Sequence, residues 1–276
     1  MWPFTGFTAC SNDHARVTMA MALIELRDLC KSFDRLVVLD HVDLRVEEGE
    51  TLVVIGSSGS GKSVMLKHII GLLEPDQGEV WFDGKNITDL TERQWIPIRE
   101  QFGFVFQMGA LFDSMTVEEN IGFPLVEHTN KPKSEIARIV REKLEMVGLP
   151  ETAKKMPAHL SGGQKKRIAL ARAIALGPRV ILYDEPTTGL DPIRSDVINE
   201  LILKLKREMG VTSIVVTHDM NSAFKVADRI VMLHKGKFIF DGTADQIQAS
   251  RDPVIRSFVV GEASPKDLEK LRRTAG

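Results

Sequence analysis

Only two cysteines, Cys10 and Cys30, occur in 276 residues. Two thiols cannot build the multi-bridge framework of a small secreted domain, and their scarcity suits a reducing cytoplasm. Long apolar runs are missing too: none approaches the roughly 18 residues that span a bilayer. So is any excess of one charge. Lys plus Arg is 36 against 38 for Asp plus Glu, a formal net charge of −2, and without a basic excess nothing argues for nucleic acid as a partner. The first 20 residues hold Trp2, Phe4 and Phe7 but no basic start followed by an apolar core, so they do not read as a signal peptide. Phe7-Thr8-Ala9-Cys10 likewise lacks the apolar region that a lipoprotein cleavage site requires. Residues 1–21 read as a disordered extension, or as the product of an upstream start codon with Met19 or Met21 as the true one. A chain of 276 residues is long enough for a large core with two lobes of one catalytic domain.

What is present begins with Thr51-Leu52-Val53-Val54-Ile55, a short β-branched run with the pattern of a buried parallel strand. It runs into Gly56-Ser57-Ser58-Gly59-Ser60-Gly61-Lys62-Ser63, and a helical pattern opens at Lys62. Strand, glycine loop and helix in that order are the context a phosphate-binding loop needs. The glycines let successive N–H groups point inward at phosphate oxygens, and the helix start adds unpaired donors. Lys62 would reach the β- and γ-phosphates, and the Ser63 hydroxyl would ligate Mg²⁺. A glycine-rich turn that binds nothing is the plainer alternative.

Val180-Ile181-Leu182-Tyr183-Asp184-Glu185 is a second buried-strand pattern, this one ending in two carboxylates. Asp184 would hold Mg²⁺, and Glu185 would polarise the water that attacks the γ-phosphate. Ser161-Gly162-Gly163-Gln164 fits a capping box, with serine at the cap and glutamine at the third helical position. Adjacent glycines make a poor first turn, each costing about 1 kcal/mol relative to alanine. They make sense where the backbone must approach something closely, such as an anion at a helix start.

Along the chain, residues from about 22 to 106 are strand-rich, with a hairpin turn expected at Asp83-Gly84. From about Gln107 strands give way to helical periodicity, with a helix start near Lys133 and a helical lobe over about 107–170. Strand–helix alternation then returns through Val180–Asp184, a helix from about Ile193, and Ile214–Thr217, with a late turn at Lys235-Gly236-Lys237. This predicts an α/β fold with a mostly parallel core sheet, an antiparallel β subdomain and an inserted helical lobe, over 22–245. Residues 246–276 read as a C-terminal helical tail, in which Ser264-Pro265-Lys266-Asp267 caps either a short docking helix or a frayed charged end.

Leu160-Ser161-Gly162-Gly163-Gln164 behind a complete phosphate loop resembles the ATP-binding cassette (ABC) family of P-loop NTPases, over about Leu23 to Gly242. The resemblance implies ATP and Mg²⁺ closed between two copies of the chain, the Lys62 loop of one facing the Ser161 helix of the other. It implies that Gln107 contacts Mg²⁺ and moves with a transmembrane partner, and that His218 touches the γ-phosphate. It sets Phe33 against adenine, although a core phenylalanine is the rival reading. It sets Asp191, in Pro186-Thr187-Thr188-Gly189-Leu190-Asp191-Pro192, in the loop that meets its mate across the dimer.

A single cassette without long heptads favours a transporter subunit over DNA-repair or translation members. The stretch from Phe102 to Leu125 looks like the ATPase of the Mla-type, MCE-linked lipid transport systems. That implies a separate integral membrane permease, an MCE-domain periplasmic protein, a small cytoplasmic accessory subunit, phospholipid as cargo, and a peripheral place on the cytoplasmic face of a bacterial inner membrane. An ATPase of an amino-acid or metal importer is the alternative within transporters, and a soluble non-transport ABC ATPase the alternative outside them. Leu111, Phe112 and Met115 would form an apolar groove floor beside Gln107, or core of the helical lobe. Lys165-Lys166 departs from the glutamines common in importers.

Overall fold

The computed structural model describes residues 22–262. The chain opens with alternation of period two. In β2 (Leu36–Val46), which pairs antiparallel with β1 (Ile24–Phe33), Val42, Leu44 and Val46 are buried while His41, Asp43 and Arg45 are exposed. β3 (Thr51–Ile55), buried at every position, leads through the glycine loop into α1 (Lys62–Ile69). β4 (Gln77–Phe82) and β5 (Lys85–Asn86) form the expected hairpin, with Asp83 and Gly84 at φ 51° and 73°. A two-residue turn with both φ positive matches the twist of its strands. α2 (Glu92–Arg99) and β6 (Phe102–Val105) follow.

No strand lies between Val105 and Val180 among the described residues. That stretch holds α3 (Val117–His128), α4 (Lys133–Met146), two 3₁₀ turns and α5 (Gly162–Ala173). The chain then alternates through β7 (Val180–Asp184), α6 (Pro192–Met209), β8 (Thr212–Thr217), α7 (Met220–Val226), β9 (Arg229–His234) and β10 (Lys237–Gly242). It closes with α8 (Ala244–Gln248) and α9 (Pro253–Val260), whose Ile247 and Ile255 join the main core. The readings for residues 1–21 and for the Ser264 cap lie outside the described residues.

Two sheets result: an antiparallel one in the order β2-β1-β4-β5, and a six-stranded one in the order β10-β9-β3-β8-β7-β6, parallel except for β10. Alternation sorts the central strands into two cores. Val53, Ile55, Ile181, Tyr183 and Val215 face the helical lobe and α6. Leu52, Val54, Leu182, Ile214 and Val216 face α1 and the antiparallel sheet. The order β3-β8-β7 sets three strand ends side by side, with Ile55 opposite Thr217 and Asp184 opposite Val216. Open α/β sheets bind ligands at such carboxyl ends.

Candidate active site

The phosphate loop begins where β3 stops. Gly61 caps α1 at φ 104°, and a Cβ there would meet the Val38 carbonyl at 2.8 Å, so only glycine lets the loop turn so tightly against β2. Lys62 is buried, its Nζ donating to the Gly56 and Ser57 carbonyls at 2.7 and 3.1 Å and lying 3.7 Å from Glu185 Oε1. Burial pushes its ammonium down, and the Glu185 and Asp184 carboxylates push back up. Ser63 Oγ donates to Asp184 Oδ1 at 2.7 Å, and burial raises the Asp184 carboxyl while that bond lowers it. Ser60 Oγ is buried with no partner. Beyond the pairing with Glu185, the ammonium and loop amides suit a bound anion, and the Asp184 carboxylate suits a bound cation.

Glu185 follows Asp184 directly, and on an extended strand the two side chains would point to opposite faces. They do not, because Glu185 sits at φ 50°, in the left-handed region, a strain of about 1–3 kcal/mol. Its Oε2 lies 2.8 Å from His218 Nδ1 and accepts from Thr188 Oγ1 at 3.0 Å, while its N–H donates to the Val216 carbonyl at 2.9 Å. The bend brings both carboxylates to one locus. Thr188 lies within the quoted Pro186–Pro192 run, yet the sequence carried no sign of this bond to Glu185. An open cleft is lined by Ser57, Lys62, Ser63, Gln107, Glu185 and His218, with α9 along one wall. Of the expected site, phosphate loop, Glu185, Gln107 and His218 are therefore brought together.

The signature residues are not among those lining the cleft. Ser161 caps α5 as expected: its Oγ accepts from Gln164 N–H at 3.3 Å, and its own N–H donates to Gln164 Oε1 at 2.9 Å. A Cβ on Gly162 would meet nothing nearer than Leu190 at 3.8 Å, and one on Gly163 nothing nearer than Arg194 at 3.5 Å. Both are ordinary contacts, and neither glycine has positive φ. Nothing in this chain requires glycine there. Asp191 also stands away from the cleft, its carboxylate capping α6 through the Arg194 N–H and pairing with the Arg194 guanidinium. Phe33, at the end of β1, is 43% exposed, which removes the reading of it as a core residue.

A second, apolar groove opens between β6 and α3, lined by Phe104, Phe106, Phe112, Phe123 and Pro124. Phe112 and Phe123 meet at a tilt of 57°, with 4.9 Å between centroids. Of the three residues expected to floor it, only Phe112 does; Leu111 packs against the main core. Two residues without a role at the sequence level build its edge. Arg172 donates to the Gly109 and Ala110 carbonyls at 3.0 and 2.8 Å, and Asn120, fully buried, bonds four backbone groups between Phe112 and Thr116.

Residues 39–188 match the protein family described as ABC transporter. The chain is 44% identical over 246 residues to the intermembrane phospholipid transport system ATP-binding protein MlaF of Haemophilus influenzae, covering 89% of this chain and 93% of that protein. MlaF of Escherichia coli K12 is 41% identical over 87% of this chain and 90% of its own length. The probable ribonucleotide transport ATP-binding protein mkl of Mycobacterium leprae is 43% identical over 89% of this chain and 71% of that protein. Among solved structures, the ATP-binding cassette MJ0796, dimeric and bound to ADP and Pi, superposes with a TM-score of 0.75 at 36% identity, covering 80% of this chain and 98% of that one. CbiO1 of Clostridium perfringens gives 0.77 at 29% identity, over 86% and 94%. The chain belongs to the ABC transporter family and is one of its ATP-binding cassette ATPases.

Proposed function

We propose that this chain is the ATP-hydrolysing subunit of a transporter that moves phospholipid between the inner and outer membranes, acting as a head-to-tail pair beneath a separate permease. The observation that carries the paired site is the glycine pair at Gly162-Gly163. The chain's own atoms leave room for side chains there, so the need for bare backbone comes from outside it. A γ-phosphate held by the Lys62 loop of a second copy would meet that need at the α5 start. Asp191, next to Arg194, would lie on the same seam, and Phe33, exposed beside Lys31, would stack on adenine.

Within each site Lys62 and the loop amides hold the β- and γ-phosphates. Glu185, held by His218 and Thr188, takes the proton of the attacking water as its oxygen bonds to phosphorus and the bond to the β-phosphate oxygen breaks. Ser63, Asp184 and Gln107 offer a hydroxyl, a carboxylate and an amide oxygen, the hard donors that suit Mg²⁺. Mg²⁺, when bound there, supplies charge neutralisation at the phosphate oxygens.

The phospholipid cargo rests on the similarity to MlaF over nearly the whole of that protein. The aromatic groove beside Gln107 suits a permease helix, which would keep the chain peripheral on the cytoplasmic face. No helix among the described residues is long and apolar enough to cross a membrane. An MCE-domain protein and a small accessory subunit complete the proposed complex. The similarity to mkl carries a different cargo name, so cargo is what must be measured. The complex is purified through a tag on this chain and its bound small molecules are identified by mass spectrometry. Stoichiometric phospholipid is expected; a bound nucleoside or amino acid in its place overturns the lipid reading.

A further inference from the structure

Of the two lysines behind the signature, only one faces inward. Lys165 is half-buried, whereas Lys166 is buried to 8% exposure. Lysines are almost never so buried unless their charge is satisfied. The Lys166 Nζ donates to the backbone carbonyl of Glu185 at 3.2 Å, across 19 residues of sequence. Burial lowers its ammonium and the Glu185 carboxylate raises it, so the charge feels the site without lining the cleft.

We propose that Lys166 is a positioning residue for Glu185, an inference that rests on Glu185 being the general base. The backbone of Glu185 is left-handed and must be held there from both sides of the residue. On one side its N–H is fixed to the Val216 carbonyl at 2.9 Å. On the other its carbonyl accepts from the Thr188 N–H at 3.3 Å and from Lys166 at 3.2 Å. Without the ammonium, only the longer turn bond resists rotation of that peptide plane. Rotation there swings the carboxylate away from the attacking water while leaving the phosphate loop untouched. The lysine also lies on α5, whose first residues meet the other copy's nucleotide in the paired site. It therefore ties the base of one site to the roof of the other.

The test uses the full-length chain. Lys166→Met keeps the apolar stem but removes the donor, whereas Lys166→Arg keeps a cationic donor long enough for the carbonyl. Lys166→Met is expected to lower kcat at least tenfold, with KM and the ATP dissociation constant within twofold of the parent. Lys166→Arg is expected to keep kcat within threefold of the parent. In a Glu185→Gln background, Lys166→Met is expected to cause no further loss, because both changes act on one step. Parental kcat in Lys166→Met, a parallel loss of ATP binding, or losses that multiply in the double variant would each overturn the proposal. Should Lys166→Met fail to fold, Lys166→Arg against Lys166→Gln decides: the guanidinium reaches the carbonyl, the amide ends one bond short of the lysine nitrogen, and equal rates overturn it. Full turnover by Glu185→Gln removes the general-base reading itself. An inactive Glu185→Gln beside a fully active Lys166→Met removes only the role of Lys166.

Discussion

At Glu185 a single backbone angle decides what the residue can do. With φ at 50° its carboxylate shares a cleft with Lys62 and Ser63, although the residue follows a strand whose every position is buried. Replacing the carboxylate by an amide of the same size keeps contacts to His218 and Thr188 but removes the proton acceptor. Glu185→Gln is therefore expected to bind ATP and to release phosphate at least about 100-fold more slowly, as loss of a general base predicts. Parallel nucleotide-binding and phosphate-release assays check it, and full turnover would remove Glu185 from its role. Asp184 and Glu185 were legible in sequence through their company, the phosphate loop and the Pro186–Pro192 run, because an Asp-Glu pair ending an apolar run is by itself most often a solvated turn. The left-handed bend was not, since glutamate carries no preference for it. Thr188, three residues on, reaches the Glu185 carboxylate through the local turn that follows this bend, and Lys166, 19 residues back, reaches its carbonyl through folding that a linear reading cannot follow.

Among elements, β3, β7 and β8 were read with ease because every position in them is buried, which leaves uninterrupted apolar runs. The Asp83-Gly84 and Lys235-Gly236 turns were equally plain, since residues tolerant of positive φ mark them. The segment before α3 was harder. Its apolar residues divide between groove and core, and the division is made by Asn120, a polar residue hidden on the inner face of a helix. Asn120 accepts from the Phe112 N–H at 2.8 Å and donates to the carbonyls of Phe112, Met115 and Thr116 at 3.1, 3.1 and 3.0 Å. Asn120→Leu orphans several of these and is expected to cost roughly 1–3 kcal/mol. The unfolding midpoint should fall by about 2–4 °C for each kcal/mol in a chain of this size. Calorimetry checks it, and an unchanged midpoint would mean that the loop does not depend on Asn120. ATP binding should survive, because the loop lies outside the nucleotide cleft.

For the whole molecule the decisive arrangement is the separation of the phosphate loop from the α5 start on one chain. Ser161→Arg sets a bulky cation on an exposed cap that does not line the chain's own cleft. The expected outcome is normal ATP binding, no hydrolysis and no ATP-driven dimer, read by nucleotide titration, phosphate release and light scattering. Loss of ATP binding instead would mean that Ser161 serves its own cleft. α5 carries a further implication. In the proposed pair its start, at Ser161, would face the nucleotide of the opposing copy; near its end Arg172 grips the Gly109 and Ala110 carbonyls at the rim of the aromatic groove. A helix shared by both places would couple the two events, and any such coupling is reciprocal. By whatever factor nucleotide capture favours a peptide seated among the phenylalanines, that peptide must favour nucleotide capture equally.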